Sequence, residues 1–288
     1  MRGRIVALSC GMYSINVDGV IYNAPARGVF RNRSIKPVVG DDVEISEKSF
    51  VISEVYERQT FLKRPPIANI DQMLIVESMK EPDFSYLLAF KYLTYAYMNG
   101  INAKIILTKS DKEQDKKLID EIKEVFSKIN IEVYVVSNKT LEGLQEVRSL
   151  FKDHVSCLIG QSGVGKSSLI NSIDKDFERK VGEFSSALGR GKHQTKEVIL
   201  LPYEGGYIAD TPGFSSLELD LYKEDLAQFY PGFNEEFVNC FYSNCLHITE
   251  NKCAIKKLVE EGNYPQIAYD CYLKLSEQSI FRNKRFER

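Results

Sequence analysis

No stretch of this 288-residue chain approaches the roughly 18 consecutive apolar residues that a membrane-spanning helix requires. The Ile5-Val6-Ala7-Leu8 cluster is too short for a secretory leader. Strong charge of either sign is missing as well: 38 Lys and Arg stand against 40 Asp and Glu, so a nucleic-acid partner would have to be met by a local basic patch. There is no internal repeat and no low-complexity tract. Cysteine is scarce, at six residues, and three of them crowd into 240–253, which in a chain without a leader suggests a metal rather than disulfides. The expectation left by these absences is a soluble, cytoplasmic, monomeric protein of two or three domains, with enough apolar content to bury a sizeable core.

What is present centres on Gly160-Gln161-Ser162-Gly163-Val164-Gly165-Lys166-Ser167, a G-x-x-x-x-G-K-S loop. The apolar run Val155-Ser156-Cys157-Leu158-Ile159 before it reads as a buried strand, and Ser168-Leu169-Ile170-Asn171-Ser172-Ile173 after it carries apolar residues at helical spacing. Glycines let the backbone curl until several N–H groups face one phosphate, and the helix N-terminus adds partial positive charge. In such a loop Lys166 reaches the β/γ-phosphates and the Ser167 hydroxyl is placed on Mg²⁺, with Ser168 completing the nucleotide loop.

The rest of the chain divides around this loop. Residues 1–62 read as about five short strands broken by turns, with Asp18-Gly19 as a hairpin signal, and suggest an OB-like β-barrel. A basic run, Arg27, Arg31, Arg33 and Lys36 with Phe30 among them, suits contact with a phosphate backbone and stacking on a base. Leu62-Lys63-Arg64-Pro65-Pro66 reads as a linker. Strands at 72–76, 103–107 and 131–136 then alternate with helical stretches, the pattern of a multidomain α/β protein whose central sheet is parallel and covered by helices. From about 218 the sequence turns helical and local, and Arg282, Lys284 and Arg285 make a second basic patch. The expected domains are an RNA-binding barrel (1–62), a nucleotide domain (63–217) and a helical domain (218–288).

A phosphate loop alone does not choose a base. Thr108-Lys109-Ser110-Asp111, at the end of a strand, has the x-K-x-D form in which the carboxylate accepts hydrogen bonds from guanine N1–H and the 2-amino group. Adenine offers neither, and the mismatch discriminates strongly. The usual first residue of such a loop is Asn; Thr108 is expected to weaken one tethering contact to the phosphate loop. Ser137-Asn138-Lys139 resembles the companion loop that meets guanine O6 through backbone N–H. Asp210-Thr211-Pro212-Gly213 matches D-x-x-G, with Asp210 toward Mg²⁺ and the Gly213 N–H toward the γ-phosphate. Thr195 is the candidate for the remaining Mg²⁺ contact. The motif order is rotated relative to a conventional GTPase: base and companion loops precede the phosphate loop, as joining the old termini and opening new ones would produce.

Cys240-x₄-Cys245-x-His247-x₅-Cys253 offers three thiolates and one imidazole, a complete tetrahedral set for one structural Zn²⁺ with no open position for catalysis. Such a metal would hold together a small helical module.

Barrel, permuted nucleotide motifs and cysteine cluster together resemble the ribosome-small-subunit-dependent GTPase A (RsgA) family, over essentially the whole chain. The resemblance rests on Gly160–Ser168, Thr108–Asp111, Asp210–Gly213, Gly189-Arg190-Gly191-Lys192-His193 and the Cys/His cluster. It implies a GTPase that binds the small ribosomal subunit and its rRNA, acts in late subunit maturation and hydrolyses GTP with Mg²⁺ in a subunit-stimulated reaction. The position that often carries a water-orienting Gln after D-x-x-G is Phe214, so slow intrinsic turnover is expected, and His193 is the nearest replacement. The catalytic set is then His193, Lys166 and Thr195. Two rivals stay open at this point: an RNA-binding zinc protein whose nucleotide is structural, and a P-loop ATP-dependent enzyme.

Overall fold

The computed structural model describes residues 1–9, 11–27, 36–63, 65–113, 116–177, 179, 182, 198–210 and 221–281. The chain forms two compact units, each discontinuous in sequence: Met1–Met73, Leu144–Ile159 and Lys166–Leu217 make one, and Leu74–Gly143, Gly160–Gly165 and Glu218–Arg288 make the other.

In the first unit, β1 (Arg2–Ser9), β2 (Met12–Val17) and β3 (Val20–Pro25) form an antiparallel meander. Asp18 and Gly19 connect β2 to β3 with φ of 49° and 88°, the doubly left-handed pattern of a two-residue hairpin turn. β4 (Asp42–Ile45) pairs with β1 and β5 (Ile52–Val55), and a parallel bridge from Ala26 to Ile52 closes the ring back to the end of β3. The result is the five-stranded barrel expected of an OB-like domain. Ile5, Ile15, Val43, Ile45 and Ile52 fill it, alternating along β4 with half-buried Asp42 and Glu44.

The segment expected to be a linker is not one. Phe61–Lys63 (β6) and Pro66–Ala68 (β7) pair as a hairpin because Leu62 and Ile67, opposite each other, are both completely buried. β1 also pairs antiparallel with β12 (Ile199–Tyr203), so the barrel is continuous with the strands beyond it: β11 (Val155–Ile159), β13 (Gly206–Asp210) and β12 stand in that order before β1. β11 and β13 run parallel and β12–β13 is a hairpin. Two short helices belong to this unit, α3 (Leu144–Ser149) and α4 (Lys166–Ile173).

The second unit holds all but the first two residues of β8 (Gln72–Ser78), with β9 (Asn102–Thr108) and β10 (Val133–Val135), in the order β10-β9-β8, β9 and β10 being parallel. Every residue of β8 is buried, as in a strand covered on both faces. Helix α1 (Tyr86–Met98) begins at Ser85, whose hydroxyl accepts the Leu88 N–H at 3.4 Å, and stops at Asn99 before Gly100, which sits at φ 66°. Helix α2 (Lys116–Ser127) turns Ile122 and Phe126 inward and its charges outward. The C-terminal segment contributes α5 (Lys223–Phe229), α6 (Asn234–Phe237), α7 (Ala254–Glu260) and α8 (Gln266–Gln278). Its aromatic core extends onto α1. Phe90 of α1 stacks on Tyr230 at 5.3 Å, Tyr230 meets Phe233 at 5.0 Å, and Phe233 meets the His247 ring at 5.1 Å.

In the barrel, Asp41 is fully buried and accepts Arg58 Nε at 2.7 Å, Arg58 Nη2 at 2.9 Å and the Val38 N–H at 2.8 Å. Removing the guanidinium leaves that carboxylate buried and short of donors. Arg58→Ala is expected to destabilise the folded chain by about 3 kcal/mol, measured as a lower urea midpoint by circular dichroism. A midpoint equal to that of the parent would show the ion pair to be screened by solvent.

Candidate active site and metal centre

The phosphate loop leaves β11 at Gly160. A side chain there would place its Cβ 2.0 Å from the Val76 carbonyl oxygen of β8, so only glycine passes. Gly163 and Gly165 sit at φ of 84° and 98°, left-handed conformations that turn successive N–H groups to one side. When peptide planes turn that way their carbonyls point outward and need donors of their own.

Three side chains from two other loops supply them. Lys109 Nζ donates to the Gly163 carbonyl at 2.7 Å and to the Glu81 carbonyl. The Thr108 hydroxyl donates to the Val164 carbonyl and lies 3.3 Å from that of Glu77. Asn138 Nδ2 donates to the Gly165 carbonyl at 3.4 Å. Thr108, completely buried at the end of β9, thus makes one contact to the phosphate loop.

Asp111 opens outward from the short 3₁₀ turn Ser110–Lys112 that follows β9. Its Oδ1 accepts the hydroxyl of fully buried Ser137 at 2.6 Å, and that hydroxyl oxygen in turn accepts the N–H of Lys139 at 3.2 Å and of Thr140 at 3.0 Å. The Ser137 hydrogen bond outweighs partial burial and, with a backbone N–H, Lys139 and Lys112, holds the Asp111 carboxyl below its ordinary range. The group is thus an exposed, ionised, oriented carboxylate beside the phosphate loop. Lys166 and Ser167 open α4 directly after the loop. His193, Thr195 and Gly213 lie outside the described residues, and of Asp210 only the backbone, at the end of β13, is described. Arg27 and Lys36 are exposed at the barrel; Arg31, Arg33, Arg282, Lys284 and Arg285 lie outside the described residues.

The Cys/His cluster is assembled. Cys240, Cys245, His247 and Cys253 bring one ligand atom each to within 4.8 Å of the others. His247 Nδ1 is 3.6 Å from Cys240 Sγ and 3.3 Å from Cys253 Sγ, and those two sulfurs are 4.0 Å apart. A tetrahedral zinc with its usual bond lengths would hold the same atoms about 3.5–3.8 Å apart, so the donor set is compatible with zinc. Burial raises the thiols of Cys245 and Cys253 above their ordinary range and lowers the imidazole of His247. Neutral imidazole is the ligating form, and a bound cation reverses the preference of the thiols. His247 Nε2 lies 3.2 Å from the Ala227 carbonyl, which fixes the other ring nitrogen toward the sulfurs.

Sequence reasoning missed what holds this ligand loop. His247 is completely buried with φ 55°, an uncommon left-handed conformation for a side-chain-bearing residue. The Glu250 carboxylate gathers the N–H groups of Leu246, Ile248 and Thr249 at 2.6, 2.9 and 3.0 Å. Tyr269 donates its hydroxyl to the His247 carbonyl at 2.7 Å, and Tyr272 donates to that of Leu246. No local pattern in the sequence marks any of the three.

A G-x-x-x-x-G-K-S loop tethered to an x-K-x-D loop, with the base loops preceding the phosphate loop along the chain, defines a circularly permuted P-loop GTPase. Comparison with known proteins agrees. A model described as RsgA GTPase matches residues 55–220, and one described as RsgA N-terminal domain matches residues 2–50. Proteins named small ribosomal subunit biogenesis GTPase RsgA are similar along the full length: that of Halalkalibacterium halodurans is 38% identical over 290 residues, 99% of both chains, and RsgA 2 of Oceanobacillus iheyensis is 40% identical over 291 residues, again 99% of both. Among solved structures, YjeQ from Thermotoga maritima superposes with a TM-score of 0.84 at 31% identity, covering 98% of this chain and 99% of that one. YloQ, titled a circularly permuted GTPase, gives 0.80 at 34%, covering 96% and 94%. The chain belongs to the RsgA GTPase family and is a GTP-hydrolysing enzyme.

The three N–H bonds to Glu250 make a direct prediction for the metal centre. In Glu250→Gln an amide NH₂ would face one of those donors. The full-length variant is expected to hold zinc about 10- to 100-fold more weakly in competition with a chromogenic chelator, and its Co²⁺ derivative to show an altered d–d spectrum. Unchanged affinity and spectrum would assign the loop's shape to Tyr269 and Tyr272 instead.

Proposed function

We propose that this chain hydrolyses GTP to GDP and phosphate in the late maturation of the small ribosomal subunit, with turnover stimulated by that subunit and its rRNA. The observation that carries the guanine assignment is Asp111, an ionised carboxylate oriented by Ser137 and joined to the phosphate loop through Lys109 and Thr108. The ribosomal role is supported by relatives named for small ribosomal subunit biogenesis and similar over 99% of this chain.

In this reading Gly160, Gln161, Ser162, Gly163, Val164, Gly165, Lys166, Ser167 and Ser168 cradle the phosphates. Lys109 lays its stem along the base, Asp111 pairs with its N1–H and 2-amino group, and the Asn138 N–H meets O6. Ser110 shapes the turn that carries Asp111. The cradle left open by three glycines fits a phosphate chain, and the Ser167 hydroxyl at its end is a hard oxygen donor suited to Mg²⁺, alongside Thr195 and Asp210. When bound, Mg²⁺ neutralises charge on the phosphate oxygens. Lys166 offers the β/γ-oxygens a second positive charge, Gly213 offers its N–H to the γ-phosphate, and His193 orients the attacking water. Phe214 in the usual glutamine position leaves that step slow until the partner completes it.

The barrel (1–62), GTPase domain (63–217) and C-terminal domain (218–288) would divide the work. Arg27, Arg31, Arg33, Lys36, Arg282, Lys284 and Arg285 are the proposed phosphate contacts to rRNA, and Cys240, Cys245, His247 and Cys253 hold one structural Zn²⁺. Among the described residues no helix is long and apolar enough to cross a membrane; the proposed form is a monomer, and the proposed place of action, beside the small subunit, is the cytoplasm.

Phosphate release from GTP and from ATP, with and without purified small subunits, tests the whole reading. GTP-selective turnover that rises sharply with subunits is expected. GTP turnover indifferent to subunits would keep the nucleotide site and remove the ribosomal coupling. In Asp111→Asn, preference is expected to pass from guanine to xanthine nucleotides by on the order of 100-fold or more, read by competition binding; unchanged guanine preference would remove Asp111 from base recognition.

A further inference from the structure

We propose that Asn138 is a positioning residue of the nucleotide site, and that with Thr108 it divides between two loops the tethering task that a single asparagine carries in an N-K-x-D loop. The proposal rests on reading the site as a guanine-nucleotide site.

A carboxamide has two N–H donors and can serve two carbonyls, whereas a threonine hydroxyl has one proton. Thr108 gives that proton to the Val164 carbonyl. The next carbonyl along the phosphate loop, that of Gly165, would lack a side-chain donor from the x-K-x-D loop; it receives Asn138 Nδ2 at 3.4 Å from the companion loop instead. The two side chains flank the same glycine. A Cβ built on Gly165 would lie 3.4 Å from Asn138 Nδ2 and 3.6 Å from Thr108 Oγ1. Gly165, at φ 98°, immediately precedes Lys166, so the tether fixes the peptide that aims the phosphate-binding lysine. Asn138 Oδ1 is buried and finds no hydrogen-bond partner among the described residues. A buried acceptor without a donor marks a place that a ligand or its bound water completes. Alanine in place of Asn138 would present the same backbone N–H to a base but no donor to Gly165.

The test is a rescue, measured on the full-length chain by fluorescence titration with mant-GDP. Asn138→Ala is expected to weaken binding about tenfold, the size of one lost hydrogen bond, with its thermal midpoint unchanged. Asn138→Asp keeps the size of the side chain but turns an acceptor on the carbonyl, and is expected to bind more weakly still. Adding Thr108→Asn to Asn138→Ala returns a two-donor carboxamide to the neighbouring loop and is expected to recover most of the lost affinity. A merely structural role for Asn138 predicts no such rescue. Parent-like affinity in Asn138→Ala or Asn138→Asp, or a double variant as weak as Asn138→Ala, overturns the proposal. A parent chain that fails to bind mant-GDP overturns the guanine reading itself.

Discussion

A backbone that curls its N–H groups toward a phosphate must send its carbonyls the other way, and those carbonyls need donors. The rest of the nucleotide site follows from this requirement. Gly163, Val164 and Gly165 present three consecutive outward carbonyls, and Lys109, Thr108 and Asn138 each take one. The side chains that satisfy the phosphate loop stand on the x-K-x-D loop and its companion, so hydrogen bonds fix those loops to the phosphate loop. Preorganisation of this kind lowers the ordering cost of binding. It also explains how the site tolerates a rotated motif order. The tethers are contacts in space between strand ends, and they do not depend on which loop comes first along the chain.

Around the site, segments distant in sequence share backbone and core contacts. β1 of the barrel pairs with β12, so the N-terminal barrel shares backbone hydrogen bonds with the strands that lead to D-x-x-G. The C-terminal helices share an aromatic core with α1, through Phe90, Tyr230 and Phe233. Small segments gain stability by docking on a larger core or by binding a metal, and the Cys/His cluster here is compatible with one. Here both are available. Phe233 touches Tyr230 on one side and His247 of the Cys/His cluster on the other, so the same ring belongs to the packing and to the support of that cluster.

The legible parts of this protein are those in which chemistry is contiguous in sequence. Gly160 to Ser167 is a phosphate loop because eight neighbouring residues suffice to build one, and Asp18-Gly19 is a hairpin because two left-handed residues suffice to turn it. The cluster at Cys240, Cys245, His247 and Cys253 is readable for the same reason: all four candidate ligands fall within one short segment. The linker reading at 62–66 failed because Pro65-Pro66 is a strong local breaker, while the burial of Leu62 against Ile67 is a tertiary fact. The weaker tether expected at Thr108 was only part of the account. Counting donors on one loop could not show that the hydroxyl reaches Val164 or that Asn138 stands behind it. Glu250 was invisible because a glutamate between two ligands has no sequence signature until its three N–H partners are seen to converge.

Glu250 and Ser137 solve the same problem at two places in the second unit. Each holds a loop in one shape by gathering donors or acceptors that the loop's own backbone cannot pair. Ser137 uses one hydroxyl to orient Asp111 and to accept two backbone N–H groups, which ties the Asp111 carboxylate to the companion loop. Glu250 uses one carboxylate to accept three N–H groups, so His247 keeps its left-handed backbone while its imidazole faces the sulfurs. In both, a short polar side chain replaces a length of secondary structure, and the functional group it positions is left free for its ligand. Short loops that carry function are otherwise the least ordered parts of a fold. In this chain the order comes from a few buried or half-buried polar atoms, each making several hydrogen bonds, and removing one such atom loosens a whole loop rather than a single contact.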